Sequence, residues 1–213
     1  MEISWYGLAC FRLRTRGLTI ITDPFDPKFG WELPKLRGEV ATISHDAPGH
    51  NCLAALRKPD HVFAGPGEYE VNGVFITGVP TYHKGEVGQR ERNTAFVFEY
   101  PDITICHLGD MGVLPAREQV ELLSGADVLL LPVGGGAALD AAKAVEIVTE
   151  LEPSIVVPMH YALPGLHLDL DPVEKFLKEM GVPRPEPIPV LKTLRSELGS
   201  EETRVILLEP QRA

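Results

Sequence analysis

Cysteine is scarce: only Cys10, Cys52 and Cys106 occur in 213 residues, with no C-x-x-C spacing among them. An odd number without metal-type spacing favours reduced thiols over a disulfide framework, and with them a cytoplasmic location. Long apolar runs are missing too. No stretch reaches the roughly 18 to 20 residues that a membrane span needs, and M-E-I-S-W-Y at the start lacks the basic, apolar, small-residue order of a secretory signal. Positive charge is in the minority, 20 Lys plus Arg against 30 Asp plus Glu, for a net charge of −10. That balance argues against nucleic acid or an anionic membrane as partner and leaves a small molecule as the expected one. Also absent are G-x-S-x-G, the P-loop and the dinucleotide fingerprint, which removes the usual serine hydrolase, NTPase and dehydrogenase readings. Nothing repeats with a period of about 20 to 50 residues, so solenoids and propellers are excluded. What remains is an ordinary globular composition, 44% apolar and 23% charged, sized for one domain over residues 1–213.

The first half reads as strands. Ile3 to Tyr6, Cys10 to Leu13 and Leu18 to Thr22 are short β-prone runs forming an antiparallel meander, closed by Asp23-Pro24. Val40 to Ile43, His61 to Ala64, Tyr69 to Val71 and Val74 to Val79 follow, the last two joined by the hairpin turn Asn72-Gly73. Cys52 to Leu56 suits a short helix, and Thr81 to Asn93 reads as a polar loop before strands at Thr94 to Tyr100 and Ile103 to His107. Helices and strands then alternate: helices over Pro115 to Leu123, Leu139 to Leu151 and Asp171 to Met180, the last capped by Asp171, with strands at Val128 to Leu131, Ile155 to Val157 and Arg204 to Leu208. Strands first and alternation afterwards predict an α+β fold of two sheets packed face to face, with helices on both outer faces, a four-layer αββα sandwich.

The chemistry-bearing residues cluster where strands stop. I-S-H-D-A-P-G-H-N, from Ile43 to Asn51, places His45 and His50 on a Pro/Gly-rich turn after a buried strand. His83, Asp110 and His160 each follow another strand, flanked by Gly or Pro. One such histidine is usually structural, but four with an aspartate point to a metal or substrate site built from loops at one sheet edge. Asp23 is placed to hydrogen-bond the His-bearing turn, and His107, inside a strand, to lie in the core or behind the ligands. Tyr161 is a candidate hydrogen-bond donor to substrate. His61 and His167 lack strand-end context. Gly134-Gly135-Gly136 is a close-packed backbone or an anion site, and Lys84 to Arg92, with Arg90, is a solvated loop or an acid-binding one.

Several stretches together resemble one family. W-Y-G-L-A-C-F-R from Trp5, T-D-P-F-D from Thr22, S-H-x-x-x-x-H-N from Ser44, H-L-G-D-M-G from His107, L-L-P-V-G-G from Leu130 and P-M-H-Y from Pro158 are similar to zinc-dependent hydrolases of the metallo-β-lactamase superfamily. The branch concerned includes an ascorbate-phosphate lactonase. The resemblance implies the αββα fold and hydrolysis of a lactone, ester or phosphodiester. It assigns His45 and His83 to one metal site, His50 and His160 to a second, and Asp110 as the bridging, catalytic carboxylate. Two positions of the H-x-H-x-D-H signature depart: Ala47 replaces a histidine and Gly49 the aspartate, and Leu8 stands where relatives have histidine. The depleted set implies one ion rather than two, zinc with manganese or iron as alternatives. It also raises a second expectation, an inactive descendant whose cleft binds a small molecule or a partner.

Overall fold

The structure, a computed structural model, describes residues 1–84, 91–193, 198 and 202–212. Its first sheet has the order β12-β1-β2-β3-β4-β5. These strands are β1 (Glu2–Trp5), β2 (Phe11–Arg14), β3 (Thr19–Thr22), β4 (Val40–Thr42), β5 (His61–Phe63) and β12 (Leu191–Lys192). β1 to β3 form the expected antiparallel meander, and β3, β4 and β5 then run parallel. The second sheet has the order β13-β11-β10-β9-β8-β7-β6. Here β6 (Gly67–Val71), β7 (Val74–Tyr82), β8 (Arg92–Tyr100) and β9 (Ile103–His107) are antiparallel. β9 is followed by parallel β10 (Val128–Pro132), β11 (Ile155–Met159) and β13 (Arg204–Val205).

Parallel neighbours need crossovers, which α1 (Arg117–Leu123), α2 (Ala141–Leu151) and α3 (Val173–Glu179) supply. Strands covered on both faces need apolar residues throughout, and V-L-L-L-P in β10 and I-V-V-P-M in β11 are buried at every position. Asp140 caps α2 by accepting from the Lys143 amide, and Ala141, Ala144, Ile147, Val148 and Leu151 give the helix its buried stripe. Between the sheets, alternation at period two sends Ile3, Trp5, Phe11, Leu13 and Ile20 inward against Ile76, Phe96 and Phe98. The opposite face of the first sheet buries Tyr6, Cys10, Ile21 and Ala41 under Phe25, Trp31 and Leu36. Among the described residues this outer layer consists of loops and of 3-10 turns at Pro27–Phe29 and Leu53–Ala55, so the α-helices all lie on the second sheet. No helix among the described residues is long and apolar enough to cross a membrane.

Three local readings are corrected. Thr81 to Asn93 is not a loop throughout, because β7 continues to Tyr82 and β8 begins at Arg92, with Pro80 paired to Thr94. Pro80 is tolerated because β6 stops pairing at Gly78, so the absent N–H faces no neighbour on that side. α3 begins at Val173 with Pro172 as cap, the Asp171 carboxylate being engaged by Lys175 Nζ instead of a first-turn amide. The short β12 pairs with β1 and has no periodic signal of its own.

Candidate metal centre

The carboxyl ends of β4, β9 and β11 meet at one edge of the sandwich, where open α/β sheets commonly hold ligands. β4 delivers Ser44 and His45, and the turn that follows returns at His50. Asp23, fully buried and with a left-handed φ of 39°, supports this turn from the end of β3. One carboxylate oxygen accepts from the Ser44 amide at 2.8 Å. The other accepts from the Ser44 hydroxyl at 2.5 Å and from His50 Nδ1–H at 2.8 Å. His50 is thereby fixed as the tautomer that turns Nε2 to the cavity, where it lies 3.5 Å from Asp110 Oδ2.

The second sheet brings the other three. His83 follows β7, and its Nδ1–H donates to the Asp110 carbonyl at 2.8 Å while lying 3.1 Å from Asp110 Oδ2. His160 follows β11 with a left-handed φ of 53°, its amide donating to the Leu8 carbonyl, and its Nε2 lies 3.6 Å from Asp110 Oδ1. The rings of His45 and His83 stack at 5.0 Å, those of His50 and His160 at 5.5 Å, and His45 and His50 lie 4.4 Å apart. The four predicted imidazoles therefore gather around the fifth predicted side chain, the Asp110 carboxylate.

Glycines let the loops approach this closely. A Cβ on Gly112 would sit 1.9 Å from the His83 carbonyl oxygen, and one on Gly134 would sit 2.0 Å from that of His160. Gly134 is thus a close-packed backbone, and the capping of α2 by Asp140 leaves no open helix end for the anion reading. Asn93, which the sequence reading overlooked, anchors Asp110. Its Oδ1 accepts from the Asp110 amide at 3.0 Å, and its Nδ2 donates to Thr81 Oγ1 and the Leu108 carbonyl. An asparagine at the start of an otherwise apolar strand was the available signal, because the residue is disfavoured there.

Charge is distributed unevenly. Burial opposes protonation of His50, but hydrogen bonds and charges from Asp110 and Asp23 outweigh it and push its pKa up to about 10. Burial and then the neighbouring His50 push His45 down to about 4, and burial lowers His160. Burial also opposes ionisation of Asp110, yet the neighbouring imidazoles of His160, His50 and His83 hold it well below the usual carboxylate range. The metal-free site therefore keeps a proton on His50 between two carboxylates.

The donor set fits a divalent cation. Ligand atoms of His45, His50 and Asp110 lie within 4.8 Å of one another, and Asp110 Oδ1 is buried without a hydrogen-bond partner. They open onto a cavity of about 280 Å³ walled by Leu8, Phe29, Ala47, Leu168 and Leu170. Gly49 lies on the same wall outside the left-handed region, and a Cβ there would meet nothing nearer than the Phe29 ring at 3.9 Å.

The remaining candidates lie elsewhere. His107 is fully buried, its Nε2–H donating to the Ala9 carbonyl at 2.9 Å, behind the site rather than in it. Tyr161, the candidate donor to substrate, is not among the residues walling this cavity; it packs 5.1 Å from Trp5, and burial pushes its phenol up to about 12. With His160 turned toward Asp110, the next side chain is directed back into the core. His61 and His167 are exposed and away from the cavity. Lys84 pairs with Glu91, while Arg90 lies outside the described residues.

A sequence model of the β-lactamase superfamily domain matches residues 2–160. The chain is 32% identical over 198 residues to a UPF0173 protein of Pyrococcus furiosus, an alignment covering 84% of this chain and 90% of that one. A UPF0173 metal-dependent hydrolase of Methanopyrus kandleri is 24% identical, with 85% and 94% covered. Among solved structures, a Thermotoga maritima protein put forward as a Zn-dependent hydrolase of the metallo-β-lactamase superfamily superposes with a TM-score of 0.79. It shares 38% identity, over 98% of this chain and 99% of that one.

Proposed function

The chain belongs to the β-lactamase superfamily domain family, in its UPF0173 branch, and from that premise we propose a metal-dependent hydrolase whose one ion would be held by Asp110 with two or three of the imidazoles of His45, His50, His83 and His160, leaving a position open to water. The observation that carries the reading is the buried Asp110 carboxylate, ringed by three imidazoles and retaining an oxygen with no hydrogen bond. Two or three imidazoles with one carboxylate suit zinc, with iron(II) or manganese(II) as alternatives. One ion is expected because Ala47 and Gly49 bring no donor atoms.

When bound, such an ion supplies Lewis acidity, polarising a scissile carbonyl and making water a nucleophile near neutral pH. The protein's own contributions are positional. Asp23 holds the proton on His50 Nδ1, so Nε2 is the atom presented to the cavity. The Asp110 carbonyl holds the proton on His83 Nδ1, which leaves Nε2 as that ring's donor atom. His45 stays uncharged, with a lone pair available. Leu8, Phe29, Leu168 and Leu170 limit water around the reacting group. Among the described residues no lysine or arginine lines this cavity, which favours a neutral lactone or ester carbonyl over a phosphodiester.

The test is elemental analysis of protein purified without chelator, joined to hydrolysis of para-nitrophenyl esters and aliphatic lactones. About one equivalent of metal and metal-dependent turnover are expected. No metal retained after incubation with zinc, manganese or iron would refute the reading in favour of an inactive descendant.

A further inference from the structure

Beyond the imidazoles and Asp110, one further ionisable side chain lines the cavity among the described residues, that of Asp169. It lies on the loop between β11 and α3, where Leu168, Asp169 and Leu170 line the cavity in succession. The loop is pinned on both sides of this run. The His167 amide donates to the Phe29 carbonyl at 2.8 Å, and the Asp171 amide to the Gly134 carbonyl at 2.7 Å. Asp110 is buried on the cavity floor, whereas Asp169 is exposed and stands at the mouth. Among the described residues Asp169 makes no ion pair, and no lysine or arginine lines the cavity. Lys175, the lysine nearest to it in sequence, is committed to Asp171.

The walls around this carboxylate are Leu8, Leu168, Leu170 and the ring of Phe29. An inorganic cation keeps its water and gains nothing from such walls. An alkylammonium group uses all of them: the carboxylate meets its charge, the aromatic face attracts it, and the leucines pack against its carbons. The Phe29 ring already attracts one cation, since Lys28 Nζ, which is not on the cavity wall, lies 5.5 Å from its centroid. We infer that Asp169 determines specificity by holding the alkylammonium group of a substrate whose ester or lactone carbonyl lies at the imidazole cluster. This rests on the hydrolase reading for the reaction. There water adds its oxygen to the acyl carbon and the acyl C–O bond breaks, giving a carboxylate, an alcohol and one proton, and the ammonium group takes no part. Binding of the cation can be measured without that reaction.

Two experiments separate the claims. In the first, choline and 3,3-dimethylbutanol, which has the same shape without the charge, are titrated into the full-length protein and followed by the methyl resonances of Leu168 and Leu170. Choline should bind roughly 3- to 20-fold more tightly, as one exposed ion pair and one cation–π contact would give. Asp169→Asn should shrink that preference by about 2- to 5-fold, and Asp169→Glu should keep most of it. Equal affinity for the two alcohols, or a preference that survives in the Asn variant, overturns the inference. In the second, butyrylcholine and 3,3-dimethylbutyl butyrate are compared as substrates of zinc-loaded protein. Asp169→Asn should raise KM for the cationic ester more than for the neutral one, by a similar factor. Equal losses of kcat on both esters would place the carboxylate in the reaction itself and also overturn the inference. If neither ester is hydrolysed, the hydrolase reading fails, while the titration still decides whether Asp169 binds an ammonium group.

Discussion

Metal binding to this protein should release one proton, and that proton should come from His50. In the metal-free state its pKa is raised to about 10, because Nδ1–H points at Asp23 and Nε2 faces Asp110. At neutral pH the ring is therefore cationic, and Nε2 cannot donate to a metal until its proton leaves. His45, lowered to about 4, and His160, also lowered, are already neutral and release nothing. Below the His50 pKa, each pH unit then changes the apparent affinity about tenfold. Raising pH from about 6 to about 8 should tighten zinc roughly 100-fold, equivalent to about 2.7 kcal/mol. The affinity is read by competition with a chromophoric chelator whose own protonation is corrected for. Calorimetry in two buffers of different ionisation enthalpy counts the protons directly. A flat pH profile would show that His50 is uncharged or not a ligand, and two protons per ion near pH 6 would show that a second imidazole shares the charge.

Other outcomes follow from the same geometry. Asp110→Asn should sharply reduce the thermal stabilisation given by excess zinc. Because this carboxylate faces three imidazoles, the change should also lower metal-free stability by roughly 1–3 kcal/mol, read by melting. Acid should act similarly on the wild type: the depressed pKa of Asp110 contributes stability present above about 3.8 and lost as pH falls below it. Ala47→His with Gly49→Asp should raise the zinc content from about one ion toward two, since position 49 has room for a side chain; an unchanged content in a folded protein would sink that expectation. Gly134→Ala should cost about 1–3 kcal/mol or more and weaken zinc binding, because its Cβ would overlap the His160 carbonyl. A melting temperature equal to wild type would refute the packing argument.

Much of the architecture was legible because its signals are local. The Asn72-Gly73 hairpin, the meander from β1 to β3 and the continuous apolar strands β10 and β11 are written in turn chemistry and periodicity. The candidate site was legible through a positional rule, ligand-type residues just past strand ends, which the structure gathers around Asp110. What escaped depends on contacts distant in sequence. Asn93 anchors Asp110 from 17 residues away, and the Leu8 carbonyl holds the amide of His160. Nor did composition reveal that Phe25, Trp31 and Leu36 would cover the first sheet without an α-helix. Left-handed backbone is absent at Gly49 but occurs at Leu8, Asp23 and His160, three non-glycine residues supporting or forming the site, where sequence gives no sign of it.

The loops that carry the ligands are tied to one another through main-chain contacts that no ligand side chain makes. The Thr94 amide donates to the Ser44 carbonyl at 2.7 Å and that of Gly112 to the Tyr82 carbonyl at 3.0 Å, while the Asp26 amide holds the Pro48 carbonyl from beneath the His-bearing turn. The main chain thus fixes much of the course of these loops, and positions 47 and 49 take no part in the side-chain bonds that complete it. Such a frame lets a lineage edit its ligand set one codon at a time without passing through an unfolded intermediate. Ala47 and Gly49, which bring no donor atoms, sit on a turn whose course is set from below. The same independence makes the turn a practical site for laboratory evolution: libraries at 47 and 49 should return mostly folded proteins, so selection there would act on metal choice and reactivity rather than on survival of the fold.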